Sequence, residues 1–250
     1  MNQLDRIKVY EDTKRKCLNG TYGKLVKGSS YLMKNSNSRL DNILFKKKYD
    51  KTYVEVVNDD VLAVANRLHT DGEKNILVLN LASDYRAGGG VERGAMAQEE
   101  ELFRRSNYFM NLDNTFYPLE PASVVYTPNV LIVKDRHYTD LGTPFTVSML
   151  AVAAIRNPKL TKKGEYYDSD YKIMFDSIHN IFKIAYMMNH ETLVLGALGC
   201  GAFHNPPTEV IKIYNMFLEK YDGCFKNVVF AVYSRRDDNF TYFSKYIKGQ

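Results

Sequence analysis

A chain of 250 residues, 45% hydrophobic and 25% charged, has the balance of a soluble globular protein and the size of one well-filled α/β domain, which excludes disordered and fibrous classes. The 34 basic and 29 acidic side chains leave a formal charge of +5, which favours anionic partners but is too even for a protein dedicated to duplex nucleic acid. Cys17, Cys200 and Cys224 are odd in number and include no Cys-x-x-Cys pair, so neither a disulfide framework nor a thiolate zinc site is indicated. The expected compartment is therefore reducing and intracellular, with cytoplasm and nucleus undivided. No apolar run approaches the roughly 20 residues of a membrane span, and Met1 to Arg6 lack the apolar centre of a signal peptide.

In chain order, residues 3–18 read as a helix, followed by a Gly-, Ser- and Lys-rich stretch to about residue 50. Residues 1–57 are expected to be an extension packed on the domain, which spans 1–250. The lysines at 46–48 and 51 read better as a solvated surface than as a polymer-binding patch. Asn58-Asp59-Asp60 offers capping side chains to a helix carrying Val61, Leu62, Val64, Ala65 and Leu68. Asn75 to Ala82 is an almost unbroken apolar run, as a strand buried on both faces of a parallel sheet requires. Similar runs at 123–126, 192–195 and 227–233 alternate with helical patterns at 145–155, 171–189 and 208–220. A further helix is expected from Gln98 through Phe109. This alternation predicts a mixed, mostly parallel sheet covered by helices on both faces.

Ligands of such sheets bind beyond the carboxyl ends of the strands, and two glycine-rich segments fall there. One is Gly88-Gly89-Gly90, after the 75–82 strand; the other is Gly196 to Phe203, after the 192–195 strand. Neither completes a dinucleotide fingerprint, and neither carries the lysine of a nucleoside-triphosphate loop. Two glycine loops at strand ends can cradle a diphosphate with backbone N–H groups alone. Gln98-Glu99-Glu100-Glu101 opens the next helix, where acidic side chains are also favourable as caps. Glu99 falls in line with the apolar stripe, Glu100 on its flank and Glu101 opposite, so periodicity does not choose among them. A catalytic acid here needs its pKa raised, by crowding with the other carboxylates and by burial. The five histidines show no ligand spacing, and Cys200 has no neighbouring base, so neither a metal nor a cofactor is expected.

The triple glycine, seven intervening residues and Gln98-Glu99-Glu100 resemble the hallmark of the bacterial-type poly(ADP-ribose) glycohydrolases. The resemblance runs on through Tyr126-Thr127-Pro128-Asn129-Val130, residues 195–207 and Phe230 to Tyr233. It implies a three-layer α/β/α macrodomain-like fold with an N-terminal helical extension. It also implies hydrolysis of the ribose-ribose bond, with Glu100 as the acid/base and Glu99 holding the substrate ribose. Asn80 and Ser83 would contact the distal ribose; Gln98 belongs to the same substrate set. Gly88, Gly89 and Gly90, with Gly199, Cys200, Gly201, Ala202 and Phe203, would enclose the diphosphate, and Phe203 or Tyr233 would stack on adenine. The implied partners are ADP-ribose and poly(ADP-ribose) on modified proteins, met by a monomer. Two alternatives stand beside this reading: a macrodomain that binds ADP-ribose without turnover, and a hydrolase of mono-ADP-ribosylated protein or nucleic acid.

Overall fold

The computed structural model describes residues 1–34, 45–234 and 239–249; part of the Gly-, Ser- and Lys-rich stretch, residues 35–44, lies outside the described residues. Among these residues seven strands form one sheet: β1 (Tyr31–Met33), β2 (Tyr53–Val57), β3 (Ile76–Leu81), β4 (Val124–Lys134), β5 (Asp140–Val152), β6 (Thr192–Leu195) and β7 (Asn227–Ala231). Their order is β1-β4-β5-β3-β6-β7-β2. Pairing is antiparallel from β1 to β5 and parallel from β5 to β2, so the sheet is mixed and mostly parallel. Among the described residues seven α-helices accompany it: α1 (Gln3–Leu18), α2 (Val61–Thr70), α3 (Gln98–Arg104), α4 (Tyr108–Asn111), α5 (Asp168–Met187), α6 (Pro207–Lys220) and α7 (Asn239–Tyr246).

Alternation along β3 shows how the layers form. Leu77 and Leu79 point into a core built with α5 and α6, while Ile76 and Val78 point into a second core built with α2 and α3. The result is the expected three-layer α/β/α, macrodomain-like architecture. Asp60 caps α2 by accepting from the amides of Leu62 and Ala63, both at 3.0 Å. Lys47 pairs with Asp222 at 2.8 Å and Lys48 reaches Asn189, as members of a solvated surface do.

The N-terminal segment is woven into the sheet: β1 and β2 are its two edge strands. Helix α1 lies against the segment preceding and including α3. Arg6 donates to the Gly94 carbonyl at 2.7 Å, Gln3 to that of Arg93 at 2.7 Å, and Thr13 to that of Arg104 at 2.6 Å. Its other end is fixed by Lys134, a buried cation between Asp12 (2.9 Å) and Asp140 (2.7 Å). Burial opposes ionisation of Asp12, but Lys134, Lys16 and Arg15 outweigh it and bring the pKa down to about 2.

Two expected helices are not as the sequence suggests. Residues 145–155 are not a helix: most of them belong to β5, hydrogen-bonded to β4 on one side and β3 on the other. Phe145, Val147, Met149 and Ala151 face one core and Leu150 and Val152 the other, so a two-sided strand presents the same unbroken apolar run as a buried helix. The helix from Gln98 ends at Arg104 rather than running through Phe109. Ser106 turns its hydroxyl onto the Leu102 carbonyl at 2.6 Å, and Asn107 and Arg105 pair with β4 instead of continuing the helix.

Strands β3, β5, β6 and β7 are mutually parallel, so their carboxyl ends, Leu81, Val152, Leu195 and Ala231, lie along one edge of the sheet. The loops that follow them build the site.

Candidate active site

Helix α3 begins beside the end of β3, and its first three side chains each make a different attachment. Gln98 lies against the β3 backbone, donating to the Leu79 carbonyl at 2.6 Å and accepting from the Leu81 amide at 2.9 Å. This clamp fixes where the next two residues can point. Glu99 is buried; Oε1 accepts from the Asn80 side chain (3.2 Å) and the Gly88 amide (3.1 Å), and Oε2 from the Ser83 amide (2.8 Å). Glu100 is also buried, with Oε1 on the Gly90 amide (2.8 Å) and Oε2 on the Ala97 amide (3.0 Å). Glu101 faces elsewhere and is occupied by Arg104 (2.7 Å) and the Tyr138 hydroxyl (2.9 Å). Geometry thus sets Glu99 and Glu100 against the glycine loop and Glu101 away from it, a separation that helical periodicity leaves open.

Glu99 and Glu100 are adjacent buried carboxyls. Among the described residues neither Glu99 nor Glu100 has an ion-pair partner. Burial foremost, with the charge of Glu100 adding to it, pushes Glu99 up to about 7 against the pull of the Ser83, Asn80 and Gly88 donors. Glu99 is the more deeply buried of the two.

The first glycine loop is shaped around these acids. Gly89 has φ of +55°, and a Cβ there would lie 2.5 Å from Glu100 Oε1 and 3.0 Å from Glu99 Oε2. A Cβ at Gly88, also left-handed, would meet the Phe103 ring at 2.8 Å. All three glycine amides are engaged inside the protein: Gly88 with Glu99, Gly90 with Glu100 and Gly89 with the Arg86 carbonyl. The amides of Gly88 and Gly90 thus hold the two carboxylates in place.

The second loop has the opposite character. Asn205 ties its base, donating to the Ile155 (2.7 Å) and Gly199 (3.2 Å) carbonyls and accepting from the Tyr166 hydroxyl (2.8 Å). The amides of Gly199, Gly201, Ala202 and Phe203 make no hydrogen bond among the described residues. A Cβ at Gly201 would meet nothing within 4 Å. Exposed, unpartnered N–H groups clustered on a tight loop make an anion-binding concavity. Arg156, in the loop after β5, joins the two segments: its guanidinium lies 4.0 Å from the Phe203 ring centroid and pairs with Asp84 of the first loop at 2.5 Å.

The structure therefore gathers Ser83, Gly88 to Gly90, Gln98 to Glu100 and Gly199 to Phe203 at one sheet edge. Asn80 is wholly buried, with its amide on Glu99, and Tyr233 is exposed after β7. Arg156 and Asp84 carry no motif, and sequence reading misses them, as it does Tyr108, buried near Glu99, and Tyr117, whose hydroxyl is buried there. Among the described residues no group of side chains is arranged to hold a metal ion, and no helix is long and apolar enough to cross a membrane.

A family model described as the catalytic domain of microbial-type PARG matches residues 4–135, more than half of the chain and inclusive of both hallmark elements. No curated protein matches. Among solved structures, the poly(ADP-ribose) glycohydrolase (PARG) of Thermomonospora curvata superposes with a TM-score of 0.84 at 25% identity, over 96% of this chain and 98% of that one. The same protein bound to the inhibitor ADP-HPD gives 0.82. The Deinococcus radiodurans enzyme in complex with ADP-ribose gives 0.76 at 25% identity, over 88% of this chain and 94% of that one. Sequence, fold and the arrangement of the acid pair converge: the chain belongs to the microbial-type poly(ADP-ribose) glycohydrolase family, of which it carries the catalytic domain.

Proposed function

We propose that Glu100 is the general acid/base of the reaction this family performs, the hydrolysis of ribose-ribose O-glycosidic bonds of poly(ADP-ribose) to release ADP-ribose, and that Glu99 holds the substrate ribose. The observation that carries the assignment is the buried, cation-free Glu99–Glu100 pair, each member gripped by amides of the glycine loop. In the free protein burial holds the pKa of Glu99 up at about 7. Ribose hydroxyls donating to Glu99 favour its ionised form. Glu100 then protonates the leaving 2′-oxygen, the sugar passes through an oxocarbenium-like state, and the same carboxylate takes a proton from the attacking water.

The diphosphate belongs on the second loop, where four amides are unengaged. Arg156 supplies the positive charge beside it, exchanging Asp84 for phosphate, which an arginine fork binds well. ADP-ribose is then the recognised unit, and the aromatic face of Phe203, now under Arg156, is the stacking surface. The chain acts as a single domain, a monomer working on polymer carried by modified proteins inside the cell; all three cysteines are free, as a reducing compartment requires.

Substitution Glu100→Gln tests the assignment. It is expected to abolish release of ADP-ribose from the polymer while ADP-ribose affinity stays within about tenfold, because shape is kept and only the transferable proton is lost. Retained turnover would remove Glu100 from the chemistry. Turnover of mono-ADP-ribosylated protein in preference to polymer would favour the second hydrolase reading.

A further inference from the structure

Beneath Glu99 lies a polar cluster that the reaction as described leaves unused. Asn80 of β3, Thr127 of β4 and Tyr108 at the start of α4 are all fully buried, in a layer otherwise made of Val78, Val125, Met149, Leu102 and Phe103. Asn80 and Thr127 share one sheet face: Asn80 pairs with Ala151, Ala151 with Val125, and Thr127 follows two residues on. Asn80 Oδ1, Thr127 Oγ1 and the hydroxyls of Tyr108 and Tyr117 have no hydrogen-bond partner there. Buried polar atoms are retained in native interiors when they serve one another, and four together are not an accident of packing. Tyr108 lies in the field of Asn80, Thr127 and Glu99, and Tyr117 in that of Tyr108 and Glu99. The Tyr108 ring is packed on Phe103 at 5.0 Å between centroids, the same ring that closes on Gly88.

The amide of Asn80 is nearly symmetric in shape, so only its hydrogen bonds decide which end faces the acid. Nδ2 donates to Glu99 Oε1 at 3.2 Å, which leaves Oδ1 directed into the cluster. A tyrosine hydroxyl has one proton to give and can accept another, and a threonine hydroxyl can supply it. We propose that Tyr108 is a positioning residue for the acid pair: its hydroxyl, backed by that of Thr127, is the buried donor available to Asn80 Oδ1, and it makes that side of the amide the oxygen's place and so keeps Nδ2, not Oδ1, against Glu99. No atom of this relay reaches the surface, so it acts through the orientation of Glu99 and not by touching substrate. The inference rests on the reading of Glu99 and Glu100 as the reacting pair. Groups facing Glu99 are Glu100 on its own helix, Tyr108 and Tyr117 from the segments that follow, and the Asn80, Ser83 and Gly88 donors of the β3 end; no cation is among them.

Substitution Tyr108→Phe removes the donor and keeps the ring. With Asn80 free to turn, its carbonyl can meet Glu99, which suits the protonated acid. The midpoint of the Glu99 carboxyl, followed by carbon NMR titration and assigned by its loss in Glu99→Gln, is expected to rise by about one pH unit. On polymer, kcat falls about tenfold with KM within about threefold, the mark of an effect on reacting groups rather than on binding. Thr127→Val moves both in the same direction by less, and carries the test should Tyr108→Phe fail to fold. Tyr221→Phe is the control: its hydroxyl is likewise buried and unpartnered but lies in the other core, and its loss should move neither quantity. A Glu99 midpoint unmoved in both variants, or moved equally by Tyr221→Phe, overturns the inference. Turnover surviving in Glu100→Gln instead overturns the reading on which it rests.

Discussion

The two glycine loops leave neighbouring parallel strands at the same sheet edge and look alike as sequence, yet one is directed inward and the other outward. Around Gly89 the space a side chain would need is filled by the protein's own carboxylates, and every glycine amide is engaged by an acid or a carbonyl. Around Gly201 nothing occupies that space, and its own amide and those of Ala202 and Phe203 are unpartnered among the described residues. A glycine can therefore be required for two unrelated reasons: to make room for a catalytic group already present, or to let a ligand approach the backbone. Only the surrounding structure tells them apart.

The contrast can be broken most violently at Gly89. A Cβ there collides with both acids and sits at a left-handed φ, so Gly89→Ala should lower polymer turnover by at least about 100-fold and destabilise the fold by roughly 1–3 kcal/mol. Steady-state kinetics and thermal melting report the two losses. Gly201→Ala should leave the melting temperature where it was, because the methyl meets no protein atom, and weaken ADP-ribose by about tenfold as measured by calorimetry. Equal effects of the two substitutions on stability would erase the distinction.

A smaller effect sharpens it. The first loop holds an acid whose folded pKa, about 7, lies above its ordinary value of 4.5. The folded state then binds more protons than the unfolded one between those values, so stability from this group is complete below about pH 4.5 and declines as pH rises through 7. Denaturant titrations should show a fall on the order of 2 kcal/mol over that range, absent in Glu99→Gln. Asp12, with its folded pKa near 2, has the opposite sign: its contribution is present above about pH 3.8 and is lost as pH falls through 2. The second loop holds no such group, so its substitutions should leave both limbs untouched.

Much of this is legible in the sequence, and each exception has a physical cause. Helix 3–18 and strand 192–195 are found with the boundaries expected, because capping and apolar periodicity are local signals. Residues 145–155 misled because a strand with a core on both faces loses the alternation that marks strands. The three-residue β1 and five-residue β2 are too short and too exposed to carry a pattern, being held by their neighbours in the sheet. At the site, the triple glycine and Gln98-Glu99-Glu100 are visible as a motif, but which amides face which oxygens is a property of the folded loop. Arg156 stands some 70 residues from Asp84 and about 50 from Phe203; no spacing rule joins three such segments, and only the parallel strand ends bring them together.

One consequence lies far from the chemistry. Because Gln3, Arg6 and Thr13 hold the backbone at Arg93, Gly94 and Arg104, the opening helix is the foundation on which the acid-bearing turn rests. Lys134, Asp12 and Asp140 anchor its far end to the long central hairpin. A version trimmed of its first twenty residues should still present every hallmark residue and yet lose its catalyst, since the platform beneath the carboxylates would be gone.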